Sequence, residues 1–133
     1  MLFRSVANEV VKSMLKKGIQ VLDSDILILG FTFKENCPDV RNTKVIDIIK
    51  TPKAYNINVT IYDPWANVRE VQHEYGITTI TNKLPSAKFD AIILAVAHNE
   101  FTNNFDMTSL QKSKSVIFDV KGVLSREIIT GRL

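Results

Sequence analysis

The chain has 133 residues, of which 45% are hydrophobic and 23% charged, and its formal net charge is +3. This length fits one domain of about 100 to 150 residues, and this composition excludes a largely disordered chain. A single cysteine excludes an internal disulfide framework and a zinc site built on cysteines. The small positive charge is spread along the chain, so it indicates an anionic ligand better than it indicates nucleic acid.

The sequence also indicates whether the chain spans a membrane or carries a secretory signal. No apolar run approaches the roughly 20 residues that span a bilayer. The N-terminal segment mixes acidic and basic residues, which is not typical of a secretory signal. We therefore expect no nucleic-acid or membrane partner and a cytoplasmic location.

The first predicted element is a helix over residues 3–17, where apolar residues recur at spacings of three and four. Lys16 and Lys17 suit the negative end of the helix dipole, and Gly18 suits the left-handed position after a helix. Residues 25–30 follow as a nearly all-apolar run, which is typical of a strand buried on both faces.

Further strands and helices alternate along the rest of the chain. Residues 43–50 contain enough β-branched residues to be interpreted as a strand. A helix is favoured because Asn42 or Thr43 can cap it and because a parallel sheet needs a crossover. The other predicted elements are strands at 57–62, 77–80, 90–96 and 115–120, a helix at 67–75, and a polar stretch with broken helix at 98–111.

This alternation predicts an α/β fold, doubly wound, with a mostly parallel five-stranded sheet and flanking helices. Ligands of such folds bind beyond the carboxyl ends of the strands. The candidate positions are therefore those that follow Gly30, Tyr62, Val96 and Asp119.

The loop of residues 30–43 is the most informative of these positions. It has neither the G-x-G-x-x-G pattern of dinucleotide-binding turns nor the G-K-[ST] of a P-loop. It does place Lys34 and Arg41 at the ligand-binding edge, where both suit phosphate or carboxylate. The alternative is a solvated loop in which these charges pair with Glu35 and Asp39.

Four segments together resemble one family. They are LGFTFKENCPDVRNTKVIDI at residues 29–48, YDP at 62–64, LAVAHNEF at 94–101 and FDVKG at 118–122. In them the chain resembles the C-terminal, UDP-binding domain of the UDP-glucose/GDP-mannose dehydrogenase family. The resemblance covers essentially the whole chain and is strongest for the branch that oxidises UDP-N-acetylhexosamines for polysaccharide biosynthesis.

The resemblance implies a three-part, NAD-dependent enzyme that oxidises the sugar C6 alcohol to a carboxylate through a cysteine thiohemiacetal. An N-terminal domain would bind most of the NAD, and a central helical domain would make a homodimer. Both would precede residue 1, so we expect this chain to be inactive alone. Residues 1–20 are then a linker helix to the missing central domain, and residues 21–133 a Rossmann-like domain that binds the UDP-sugar.

The resemblance also implies roles for individual residues. Phe33 and Lys34 match a pair that contacts the substrate, and Lys121 matches a basic residue directed at its phosphates. Arg41 matches an arginine that reaches across the cleft towards NAD. The resemblance implies no catalytic residue and no metal ligand in this chain.

Five further residues have plainer interpretations. Cys37 has no base near it in sequence, which predicts an inert thiol. Asp63 could hold a ribose hydroxyl, but a turn with Pro64 is favoured without a glycine fingerprint. His98 could contact a ligand, although capping or a turn hydrogen bond is favoured. His73 is expected on the surface, and the sequence does not decide whether Trp65 is packed or exposed.

Two alternatives remain open at this point. One is a stand-alone nucleotide-binding or regulatory module that has lost the chemistry. The other is a doubly wound signalling domain of the response-regulator type, which would have an acidic pocket at the strand ends, whereas the loop after Gly30 carries Lys34.

Overall fold

A parallel sheet forms the centre of the molecule, whose computed structural model describes residues 3–133. Its strand order is β3-β2-β1-β4-β5-β6, and every neighbouring pair is parallel. The strands are β1 Asp25–Leu29, β2 Asn58–Tyr62, β3 Ile80–Thr81, β4 Phe89–Leu94, β5 Gln111–Asp119 and β6 Gly131–Arg132.

Helices cover both faces of this sheet. They are α1 Val6–Lys16, α2 Val45–Ala54, α3 Val68–Tyr75 and α4 Asn99–Thr102, with short 3-10 turns at Phe3–Ser5 and Thr108–Leu110. Within the described residues, no helix is long and apolar enough to cross a membrane.

The side chains of β1 point alternately to the two faces of the sheet, and each face carries one cluster of the hydrophobic core. Ile26 and Ile28 face the cluster that also takes buried side chains from α1, α2 and α3. Leu27 and Leu29 face the opposite cluster, which includes Phe101 of α4. Because successive side chains of a strand point to opposite faces, β1 has buried residues on both sides, as its apolar run predicted.

The predicted doubly wound α/β fold is confirmed, and so is the helix after the first loop. The hydroxyl of Thr43 accepts a hydrogen bond from the N–H of Val45 at 3.2 Å and donates to the carbonyl of Phe31 at 2.6 Å. The threonine thus supports the start of α2 and ties it to the end of β1. Asn67 caps α3 by accepting from the N–H of Glu70 at 3.0 Å, and Gly76 ends it in the left-handed conformation.

The edges of the sheet differ from the sequence prediction. The strand expected at 77–80 is displaced to β3, since only two residues pair with β2 at this edge. A sixth strand was not predicted: Gly131 and Arg132 pair with Phe118 and Asp119. A two-residue edge strand has no alternating pattern to recognise, so its position depends on tertiary pairing.

Helix α1 packs firmly on the sheet. Val6, Val10 and Met14 are fully buried in the first cluster. Beyond the helix, the ammonium group of Lys17 donates to the carbonyl of Ser115 at 2.8 Å, and Gly18 adopts the predicted left-handed conformation.

Gly30, directly after β1, lies close to Val96, which follows β4. Its φ angle is +96°, and a Cβ atom built on it would lie 2.5 Å from the Cβ of Val96. The N–H groups of Ala95 and Val96 both donate to the carbonyl of Leu29, at 2.9 and 3.3 Å. This contact brings together the loops that follow β1 and β4.

Candidate ligand site at the carboxyl edge of the sheet

The strand order places a crevice between β1 and β4. The chain runs from β1 outwards to β2 and β3 on one side, and β4, β5 and β6 lie on the other. Such a reversal point is where open α/β sheets bind ligands. A cavity of about 220 Å³ lies here, lined by Phe3, Thr32, Phe33, Lys44, Val45, Ala95, Val96 and Lys121.

The cavity suits an anion that is attached to an apolar group. Lys44 and Lys121 supply two ammonium groups, and the start of α2 adds the positive end of a helix dipole. The ring of Phe33 is 52% exposed and offers an apolar wall. The ammonium nitrogen of Lys121 lies 5.8 Å from the centre of the Phe3 ring, within reach of a cation–π interaction.

The four site residues that the sequence analysis named do not all lie in the cavity. Phe33 and Lys121 meet in the cavity. Lys34 is exposed on the same loop as Phe33 and does not line the cavity. Arg41 lies in a separate open depression with Asn67 and Glu70.

Arg41 is paired within its own loop, as the alternative interpretation expected. Its Nε donates to Asp39 Oδ1 at 3.1 Å. The hydrogen bonds from Arg41 hold the pKa of Asp39 below its ordinary value, and the carboxylate in turn raises the pKa of Arg41. Since Arg41 is largely exposed and Asp39 partly so, solvent screens this pair and leaves Arg41 accessible.

Sequence reasoning did not identify Lys44. The residue occupies the N-cap position of α2, and its own side chain makes no capping hydrogen bond. A cation is unfavourable at the positive end of a helix dipole, and serine, threonine, aspartate or asparagine are the usual caps. A lysine at the predicted start of a helix was therefore the sequence feature from which Lys44 could have been named as a candidate anion-binding residue.

Asp63 is a fully buried carboxylate directly after β2. One oxygen accepts from the N–H groups of Trp65 and Ala66, at 2.7 and 3.1 Å, which confirms the predicted turn. The other oxygen accepts from the N–H groups of Phe31 and Thr32, at 2.6 and 3.0 Å, in the loop after β1. This second set of bonds was not predicted.

The pKa of Asp63 reflects opposing effects. Burial raises it, whereas hydrogen bonds from His98 and from the N–H of Phe31 lower it. The hydrogen bonds prevail, so the pKa lies below the ordinary value for aspartate and the group is ionised.

His98 is fully buried beside Asp63. Its Nδ1 accepts from the N–H of Asn36 at 2.9 Å, so this nitrogen carries no proton. The neutral ring therefore carries its proton on Nε2, which lies 3.0 Å from Asp63 Oδ2 and 3.1 Å from Thr32 Oγ1. Of the two favoured roles, capping and a turn hydrogen bond, the structure shows the second, because the side chain makes no capping bond to α4 and the ring bonds to the first loop.

Trp65 covers this buried group. Its ring stacks on His98 with centres 5.9 Å apart and an interplanar angle of 23°. Its Nε1 donates to Glu100 at 2.9 Å, and 36% of the residue remains exposed. The indole is thus both packed and accessible.

Asp119, at the end of β5, is the second fully buried carboxylate of this edge. It accepts from the N–H groups of Lys121, Gly122 and Leu124 at 3.1, 2.8 and 2.7 Å. These bonds fix the backbone turn that carries Lys121 to the cavity.

Two residues with possible chemistry lie outside the cavity. Cys37 is a partly buried free thiol in the first loop, and His73 is exposed on α3, as predicted. Among residues 3–133 no group of His, Cys, Asp and Glu side chains is arranged to hold a metal ion.

Comparison with known proteins identifies the family. Residues 27–126 match the model of the UDP-glucose/GDP-mannose dehydrogenase family, UDP binding domain. The chain belongs to the UDP-glucose/GDP-mannose dehydrogenase family. The alternative of a response-regulator-like domain is therefore wrong, and the cavity lining contains two lysines and no acidic residue.

Curated relatives agree with this assignment. The chain is 47% identical over 124 residues to a UDP-N-acetyl-D-glucosamine 6-dehydrogenase of Salmonella typhi, covering 92% of this chain and 29% of the relative. It is 39% identical over 123 residues to Protein CapL of Staphylococcus aureus, again covering 92% of this chain and 29% of the relative. The chain thus spans about three tenths of the length of these dehydrogenases.

Solved structures of low sequence identity share the fold. An NDP-N-acetyl-D-galactosaminuronic acid dehydrogenase of Methanosarcina mazei superposes with a TM-score of 0.80 at 20% identity, covering 95% of this chain and 28% of the other. A UDP-D-ManNAc dehydrogenase of Pyrococcus horikoshii gives 0.73 at 19% identity, covering 97% and 30%.

The dehydrogenases of this family use NAD, but the end of β1 in this chain does not fit a dinucleotide. Phosphates at such a turn need free backbone N–H groups and glycines that allow close approach. Here the N–H groups of Phe31 and Thr32 already donate to Asp63. Gly30 is required by its contact with Val96, so it is not part of a phosphate cradle.

Proposed function

We propose that this chain is the UDP-sugar-binding part of an NAD-dependent UDP-N-acetylhexosamine 6-dehydrogenase. The reaction would oxidise the C6 alcohol of the sugar to a carboxylate, for polysaccharide biosynthesis. The family match and the named activity of the relative from Salmonella typhi support this proposal. Residues 1–20 would link a central domain to the UDP-sugar domain of residues 21–133, in a homodimeric enzyme.

The observation that carries the proposal is the pair of lysines in the cavity between β1 and β4. Lys44 and Lys121 enter it from different elements, next to the start of α2. A diphosphate carries two negative charges or more, and charge-assisted hydrogen bonds to ammonium groups are stronger than neutral ones. We assign these two lysines to the diphosphate.

The first loop would supply the other contacts. Phe33 presents an exposed ring to the cavity, and the neighbouring Lys34 is free to reach a ligand that extends beyond it. Arg41 would contact NAD held mainly by another domain, and its exposed pair with Asp39 is weak enough to allow this. The thiol that forms the thiohemiacetal would likewise belong to another part of the enzyme.

The test is calorimetric titration of the 133-residue protein with UDP and with NAD. We expect weak binding of UDP, because half of the cleft is contributed by other domains, and weaker binding of NAD. Lys44→Gln should weaken UDP binding about tenfold, the loss of roughly 1.4 kcal/mol that one charged contact contributes. Lys53→Gln, at the other end of α2, is the matched control and should bind like the wild type.

Three results would contradict the proposal. NAD binding that is tighter than UDP binding would show that the protein prefers NAD, so that the cavity is not a UDP site. Equal losses in the two lysine variants would show that overall charge, not the cavity, attracts UDP. Formation of NADH from UDP-N-acetylglucosamine or UDP-N-acetylmannosamine by this protein alone would contradict the proposal that other domains bind NAD and supply the catalytic thiol.

A stand-alone binding module is the second candidate, since the cavity between β1 and β4 is lined by residues of this chain. It predicts the same UDP binding but no partner domains. Sequencing of the coding region upstream separates the two, since the enzyme requires a G-x-G-x-x-G segment and a catalytic cysteine there.

A further inference from the structure

We propose that Asp63 and His98 are positioning residues, which hold the loop of residues 31–36 in the shape that borders the UDP-sugar. We call them the positioning pair. This inference rests on the proposed function, and it assigns the pair no contact with the ligand.

The positioning pair fixes the loop at both of its ends. Asp63 accepts hydrogen bonds from the N–H groups of Phe31 and Thr32, where the loop begins. His98 accepts from the N–H of Asn36, where the loop ends. The bond between His98 Nε2 and Asp63 Oδ2, at 3.0 Å, joins these two attachments.

The two members come from opposite sides of the loop. Asp63 follows β2 and His98 follows β4, and these strands flank β1 in the sheet. The loop after β1 is therefore attached to both neighbours of its own strand. Neither attachment can be made by the loop alone.

The far end of the loop is held reciprocally. Asn36 has a positive φ angle of 55°, and its side-chain oxygen accepts from the N–H of Asn99 at 2.9 Å. Asn99 directly follows His98 in the chain. The segment after β4 thus holds the loop, and the loop in turn holds the start of α4.

Exposed residues of the loop remain available to a ligand. Phe33 and Lys34 are exposed, whereas both members of the positioning pair are fully buried. Ordering a side chain or a loop on binding costs conformational entropy and so weakens affinity. A loop that is already fixed avoids this loss, so the positioning pair should raise affinity for UDP without touching it.

Two conservative variants separate the hydrogen bonds of His98. The amide nitrogen of glutamine can replace Nε2 and donate to Asp63, but His98→Gln offers no acceptor to the N–H of Asn36. The amide oxygen of asparagine can replace Nδ1, so His98→Asn keeps that acceptor. Leu110→Ala, in the opposite core cluster, is the control for general loss of stability.

We expect His98→Gln to weaken UDP binding about fivefold and to speed hydrogen exchange of the Asn36 amide about tenfold or more. His98→Asn should restore much of both. Leu110→Ala should bind UDP like the wild type at a temperature where both are folded. Wild-type affinity in a His98→Gln protein with a mobile Asn36 would overturn the inference, as would equal losses in His98→Gln and Leu110→Ala.

A surface variant covers the case in which His98→Gln does not fold. Asn36→Gly keeps the positive φ angle but removes the bond to Asn99, and we expect it to weaken UDP binding about threefold. Unchanged affinity in that variant would then overturn the inference. Failure of the wild type to bind UDP at all would instead overturn the proposed function, and with it the role of the pair.

Discussion

Asp63 and Asp119 are both fully buried at the ends of parallel strands, yet they hold different kinds of loop. All three backbone donors of Asp119 lie within five residues of it along the chain. Two of the donors of Asp63 lie 31 and 32 residues away. The turn that carries Lys121 can therefore form locally, whereas the loop that carries Phe33 depends on a neighbouring strand.

Replacing each aspartate by asparagine would test this difference most directly. We expect Asp63→Asn to lower the free energy of unfolding by about 3 kcal/mol and Asp119→Asn by about 1.5 kcal/mol. An asparagine at 63 turns an NH₂ group towards backbone N–H donors, and it also leaves His98 poorly paired. Urea unfolding followed by circular dichroism measures both values. Equal losses would show that the distant attachments of Asp63 add nothing.

The pH dependence of stability is the second test. The pKa of Asp63 is lowered in the folded protein, so the unfolded chain binds more protons near pH 4 and stability rises with pH there. The contribution of Asp63 is complete above the ordinary aspartate pKa of about 3.9 and is lost as the pH falls below it. Asp63→Asn should flatten this part of the curve.

Asp39→Asn is the matched control for that experiment. The pKa of Asp39 is also lowered, but its pair with Arg41 is exposed and screened. Its removal should leave the curve between about pH 2 and 5 nearly unchanged. A larger change for Asp39→Asn than for Asp63→Asn would contradict the assignment.

The lysines carried by the two loops give a third test. Lys121, beside Asp119, lines the cavity, whereas Lys34 does not. We expect Lys121→Gln to weaken UDP binding about tenfold and Lys34→Gln about threefold. Titrations at rising ionic strength should weaken wild-type binding, because phosphate contacts are screened by salt. The reverse order of the two variants would assign the diphosphate to the first loop instead.

Cys37 should show the smallest effect. The thiol lies in the same loop as Lys34, but it is partly buried and does not line the cavity. Cys37→Ser should bind UDP within about twofold of the wild type. A larger loss than that of Lys34→Gln would mean that the loop is oriented differently around the ligand.

The elements of the fold that could be predicted from the sequence are those that local contacts determine. Asn67 and Gly76 marked the ends of α3 because a cap and a left-handed glycine act within one turn. The buried run of β1 marked the centre of the sheet. The edge strands were misplaced or missed, because pairing of two residues depends on a neighbour that the local sequence does not specify.

The site was predictable to a similar extent. Phe33 and Lys121 followed from a resemblance and from the rule for strand ends, and both line the cavity. Lys44 was missed although its place at a helix start was visible. The partnership of Asp63 with His98 joins residues that are 35 positions apart, so no local pattern could indicate it.

At Gly30 the protein tolerates no substitution. Every other amino acid carries a Cβ atom, and at this position that atom would collide with Val96. A saturation library at residue 30 therefore contains no conservative member. In a pooled selection for folded protein, sequencing reads at this codon should retain glycine alone, whereas Gly76, which has open space around it, should tolerate asparagine.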